Sequence, residues 1–129
     1  MKTWFRATIL FGLGYAIAGV VFAIPSSYVQ FWRLAAWGVS GVILAMHIAY
    51  ERFRLATPPF TAAWHVGLGA AIGGFGIAAG ANVHSLMAAV PNPNQRSLLL
   101  ALAIWPVITG LPAYLVALGL SAVLARTRR

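Results

Sequence analysis

Apolar residues fill the chain in four long runs, and most polar positions fall between them. The runs cover about 3–24, 28–54, 60–87 and 97–125. Each reaches or exceeds the roughly 20 residues that an α-helix needs to cross a bilayer. Three breaks separate them. Pro25-Ser26-Ser27 offers a serine as N-cap for the second helix. Pro58-Pro59 cannot continue a helix but can open one. Pro91-Asn92-Pro93-Asn94 is a loop by composition. The pattern predicts an all-α membrane protein, a four-transmembrane-helix bundle running up-down-up-down as a single transmembrane domain over residues 1–129. The first run also has the outline of a signal peptide, with Val21-Phe22-Ala23 as a small-residue cleavage site. Pro25 directly after that site opposes cleavage, so the run is read as a retained helix.

The most distinctive stretch is His65 to His84, which carries no acid, lysine or arginine. Wound as a helix, it places His65, Gly69, Gly73, Gly76, Gly80 and His84 within a stripe about 100° wide. In a bilayer, glycines spaced in this way let a neighbouring backbone approach closely. Gly69, Gly73, Gly76 and Gly80 are therefore expected helix-packing positions. The second run carries the most polar stripe: Arg33, Ala36, Ser40, Ile43, His47, Glu51 and Arg54 lie within about 80°. A short loop joins the two helices, which predicts that this stripe faces the glycine groove. His47, Glu51, Arg54 and His65 are then expected to cluster at the cytoplasmic end, with Glu51 bonded to an arginine or a histidine. Arg33 and His84 are expected to meet at the outer end. In the fourth run Pro106 and Pro112 predict a kink, because each leaves a carbonyl one turn earlier without its usual donor. Thr109 or the Tyr114 hydroxyl is the expected substitute.

Composition narrows the function. The chain is 61% hydrophobic and 8% charged, with no cysteine, which excludes disulfides and thiolate metal sites. The formal charge of +8 arises from nine Lys/Arg against one acid. The basic residues cap apolar runs, so they are read as topology signals and lipid headgroup contacts and not as a nucleic-acid surface. Lys2, Arg6, Arg52, Arg54, Arg126, Arg128 and Arg129 fall on one side, Arg33 and Arg96 on the other. The positive-inside rule then places both termini in the cytoplasm of a bacterial cell, in its inner membrane.

No nucleotide loop, Ser/His/Asp set or paired carboxylates is present, so no catalytic residue and no enzyme activity is expected. Small multidrug-resistance transporters share this size and helix number, but their first-helix glutamate has no counterpart in 3–24. The expected function is a non-enzymatic structural or accessory subunit. Its partners would be the lipid bilayer and other membrane subunits or further copies of itself. One alternative is a small channel or transporter. Another is a haem b or chlorophyll subunit, because two histidines on facing helices can ligate one macrocycle. His47 and His65 would be those ligands. A zinc site lacks ligands, having only Glu51 near the two histidines.

Overall fold

A computed structural model describes residues 1–127; Arg128 and Arg129, counted above as topology signals, lie outside the described residues. It holds α1 (Thr3–Val21), α2 (Val29–Ala49), α3 (Pro59–Leu86) and α4 (Gln95–Arg126), and α2 runs on into a π-helical turn at Tyr50–Arg54. All four spans are long and apolar enough to cross a membrane. The shortest, α1, has 19 residues, about 28 Å at 1.5 Å per residue, which matches a hydrocarbon core of about 30 Å.

The breaks behave as their chemistry dictates, with one exception. Pro59 occupies the first turn of α3, where a missing N–H costs nothing. Neither Ser26 nor Ser27 caps α2. Tyr28 takes that position in the left-handed region, at φ 55°, and no side chain caps the helix. The end of α2 is closed by Ala56, also left-handed at φ 51°. There the Leu55 N–H bonds the Tyr50 carbonyl at 3.2 Å and the Thr57 N–H bonds the Glu51 carbonyl at 3.0 Å. These wide hydrogen-bonded loops use up carbonyls that an abrupt helix end would leave bare.

Packing is centred on α3, which presents a small-residue face to each of two neighbours. One face meets α1. A Cβ built on Gly73 would collide with Tyr15, and one on Gly76 would sit 2.7 Å from the Ala16 Cβ. Gly80 faces Val20, and the approach is reciprocal: a Cβ on Gly12 would meet Ile72 at 2.7 Å. The second face meets α4. A Cβ on Gly67 would lie 2.9 Å from the Tyr114 Cβ, and one on Gly74 would lie 2.9 Å from the Trp105 carbonyl oxygen. On α4 the buried residues are Gly110, Ala113, Ala117 and Ser121, a seam of small side chains at helical spacing. Helices successive in sequence alternate in direction, so the packed pair α1 and α3 run parallel: Trp4 meets His65, Phe11 meets His47, and Tyr114 meets Gly67. The start of α1, the end of α2, the start of α3 and the end of α4 thus share one end of the bundle, here called the termini end.

Two expectations are corrected by this packing. The glycine groove of α3 is filled by α1 and not by α2, which reaches it only where His47 lies against Gly69. A short loop forces two helix ends together but leaves their far ends free to diverge. On α2 proper only His47 and Ile48 are buried. The polar stripe consequently splits. Its inner end, His47 and Glu51, is buried, whereas Arg33 is exposed and Ala36 and Ser40 are half-buried. The second correction concerns Thr109 on α4, a helix that continues through Pro106 and Pro112. The Thr109 hydroxyl does not serve the carbonyls those prolines free. It lies within bonding distance of the Trp105 carbonyl at 2.8 Å and of the Ala70 carbonyl on α3 at 3.0 Å.

Candidate functional site

The only acidic side chain of the sequence is wholly buried at the termini end. Glu51 sits in the first part of the π turn, where the wider helix shifts it away from the register of α2. Its Oε2 accepts from the Thr57 hydroxyl at 2.7 Å and lies 3.0 Å from His65 Nδ1. Its Oε1 faces His47 Nε2 at 4.0 Å, beyond direct hydrogen-bond reach. Thr57 is in turn fixed by the loop, because Arg52 Nη1 donates to its carbonyl oxygen. The two imidazoles thus flank one carboxylate, one from α2 and one from α3.

Aromatic rings from α1 hold both imidazoles in plane. Trp4 stacks on His65 with ring centroids 4.3 Å apart and planes 5° from parallel. Phe11 stacks on His47 at 4.3 Å and 14°. Gly69 supplies the space for His47, since a Cβ there would lie 2.9 Å from the ring Cε1. Such stacking removes rotational freedom from the imidazoles, so the direction of each nitrogen is set by packing and not by solvent. A cavity of about 400 Å³ lies beside this arrangement, and its walls include Thr3, Trp4, Thr57, Pro58 and His65. With Nδ1 turned toward Glu51, the second ring nitrogen of His65, Nε2, is left without a protein partner. His47 differs: it is 0% exposed, and neither of its nitrogens has a hydrogen-bond partner.

The structure therefore brings together His47, Glu51 and His65 and leaves Arg54 outside. Arg54 is exposed, and the bonded partners of Glu51 are Thr57 and His65. The π turn is the reason, because it carries Glu51 inward while the next residues stay at the surface. The outer-end pair is not formed either: Arg33 and His84 are both exposed and no bond joins them. The polar contact at that end is one that sequence reasoning missed. Asn82, buried on α3, donates to the Ala78 carbonyl at 2.9 Å and to the Leu98 carbonyl of α4 at 2.6 Å. Gln95 Nε2 donates to Asn82 Oδ1 at 3.0 Å, and Ser85 donates to Gln95 Oε1 at 2.7 Å. The signal was present, since Asn82 is the one carboxamide inside the third apolar run.

A haem held between His47 and His65 does not fit this geometry. The Glu51 carboxylate stands between the two imidazoles, one oxygen toward each, and the stacked Phe11 and Trp4 rings cover their faces. A chlorophyll on His47 is excluded by the complete burial of that ring. Among the described residues no group of three His or acidic side chains is arranged to hold a metal ion. Comparison with protein-family models, curated proteins and solved structures finds no match for this chain. The fold and chemistry define the class directly: a small multi-pass membrane protein of four apolar helices.

Proposed function

We propose that this protein is a non-enzymatic subunit of a larger membrane assembly, formed with further copies of itself or with other subunits, in the bacterial inner membrane. Its termini lie in the cytoplasm. The observation that carries this reading is the bare small-residue surface of α2. Gly38 and Gly41 have no atom within 4 Å of where a Cβ would stand, whereas ten of the other eleven glycines are packed against a neighbour. Within this chain, helical glycines mark places where another helix approaches. Two glycines nearly one turn apart on the least buried helix are then an unfilled contact of the same kind. The basic residues support the orientation, because the termini end carries Lys2, Arg6, Arg52, Arg54 and Arg126.

Because the sequence has no cysteine, single thiols can be placed without background. A photo-crosslinker attached at Gly41→Cys in the native membrane is expected to give a product larger by one polypeptide, absent when the thiol is at the lipid-facing Leu10. Identical monomer bands from both positions would remove the assembly reading. A reporter fused to the C-terminus that is active only in the periplasm would remove the orientation. A second reading, a small channel or transporter, is favoured by the buried Glu51 and its two histidines, since ionisable groups inside a membrane bundle mark pathways more often than packing. Ion flux into liposomes that disappears in Glu51→Gln would select it.

A further inference from the structure

Packing alone does not account for the polar atoms gathered around Glu51. Glu51 Oε1 and both nitrogens of His47 are fully buried without partners. Buried polar atoms in folded proteins are nearly always paired, and three unpaired ones at a single place call for an occupant or a shared proton. The two that face each other, Oε1 and His47 Nε2, are 4.0 Å apart. Moving them together by about 1 Å makes a hydrogen bond. On the other side of the carboxylate the path is already closed, with His65 Nδ1 at 3.0 Å from Oε2. His65 in turn borders the cavity at the termini end. One histidine therefore meets the outside, one is sealed inside, and a single carboxylate separates them.

We infer that His65, Glu51 and His47 form a proton-binding relay loaded from the cavity, with the proton itself as the ligand. A proton from water bonds to His65 Nε2 as the N–H at Nδ1 breaks and its proton passes to Glu51 Oε2. The imidazole is neutral again and Glu51 is a carboxylic acid. Rotation of the carboxyl group turns the O–H toward His47, and closure of the gap transfers the proton to His47 Nε2. Glu51 returns to carboxylate and His47 carries the positive charge. No electron moves, and each N–H or O–H formed is matched by one broken. The stacked Trp4 and Phe11 rings keep the donor and acceptor nitrogens aimed at the carboxylate during both transfers.

Few other charged groups face this path. The π turn contributes Arg52, whose Nη1 is held by the Thr57 carbonyl and whose buried Nε has no partner. From α1 the polar groups nearby are Thr8, bonded to the Trp4 carbonyl, and Tyr15, whose buried hydroxyl has no partner. Tyr50 touches the edge of Phe11. The α4 helix has neither a carboxylate nor an imidazole. Among the described residues Glu51 is the carboxylate that stands between the cavity-side histidine and the sealed one.

The test is ring-nitrogen NMR of the full chain in lipid nanodiscs, labelled at histidine and followed from low to high pH. In the native protein both His47 and His65 are expected to change with pH, with curves that depend on each other. In Glu51→Gln the group that hands on the proton is gone, and His47 should stop responding. The exposed His84 should give the same signals in both proteins. Should Glu51→Gln fail to fold, Thr57→Val serves instead. It keeps the carboxylate but removes one donor to Oε2, and the coupling between the His47 and His65 signals should change while the His84 signals stay fixed. A native His47 that is silent across the range would overturn the relay. So would a His47 response that survives Glu51→Gln, or a His47–His65 coupling indifferent to Thr57→Val.

Discussion

Replacing single glycines by alanine separates the packed faces of α3 from the bare faces of α2 and α4 by the sign of the effect. Adding a methyl group to a helical glycine gains about 0.8–1.0 kcal/mol of helix preference wherever space allows. At Gly73 no space exists: the new Cβ would strike the Tyr15 side chain and lie 3.3 Å from the Gly12 carbonyl oxygen. Overpacking of this kind costs about 1–3 kcal/mol, and a backbone atom cannot move aside as a side-chain tip can. Gly73→Ala should therefore destabilise by roughly 0–2 kcal/mol net of the helix gain. Gly67→Ala should do likewise, because Tyr114 Cβ at 2.9 Å and the Gly110 carbonyl at 3.2 Å stand in its way. At Gly119 no atom lies within 4 Å, so the helix gain is uncompensated and the variant should be up to about 1 kcal/mol more stable. The assay is thermal or denaturant unfolding of the purified chain in one detergent, all variants side by side. Equal shifts at Gly73, Gly67 and Gly119 would refute both the facing of α3 and the view that its glycines serve close approach.

Three other outcomes are expected. Glu51→Ala should cost about 3 kcal/mol, the scale for stripping one partner from a buried polar pair, and its combination with His65→Ala should fall short of the sum in a double-mutant cycle by at least about 0.5 kcal/mol. Asn82→Ala should lower stability by about 1–3 kcal/mol through the unpaired groups it leaves between α3 and α4, while Arg33→Ala leaves the unfolding midpoint unchanged. Ala56→Gly should be neutral to stabilising by up to about 1 kcal/mol, since the left-handed backbone there penalises a Cβ; a clear loss in unfolding midpoint would contradict the φ of 51°.

Helix number and breaks were legible because proline pairs and apolar run lengths act locally. Which helix fills which groove was not, because it depends on surfaces remote in sequence. The stripe from Gly69 to Gly80 announced a close neighbour without naming it. A matching signal lay in the first run, where Thr8, Gly12, Ala16 and Gly19 form a small-residue stripe at helical spacing. Pairing like stripes, in preference to adjacent helices, leads to α1. The meeting of His47, Glu51 and His65 was legible from depth and face alone. Its missing detail was the π turn, which decides that Glu51 turns inward while Arg54 does not. Nothing in the composition of Tyr50–Arg54 marks a wider helix, because the turn is imposed by the Pro58-Pro59 loop and the Thr57 hydrogen bonds that follow it. The seam on α4 was legible too, since Gly110, Ala113, Ala117 and Ser121 form a small-residue stripe at helical spacing.

That α1 pairs with α3 also sets an order of events during synthesis. The small-residue side of α1 has no permanent cover until α3 has been made, and Val21 and Leu86 are 65 positions apart. At about 5–20 residues per second, a ribosome takes roughly 3–13 s to cover that interval. The chain made by then contains α1 and α2, whose Phe11–His47 and Phe22–Trp32 ring contacts need no later residue. Arrival of α3 then brings His65 to a carboxylate and an imidazole already made. The second helix keeps its hold on the first near both ends, and the newcomer completes the buried cluster as it covers the small-residue side of α1.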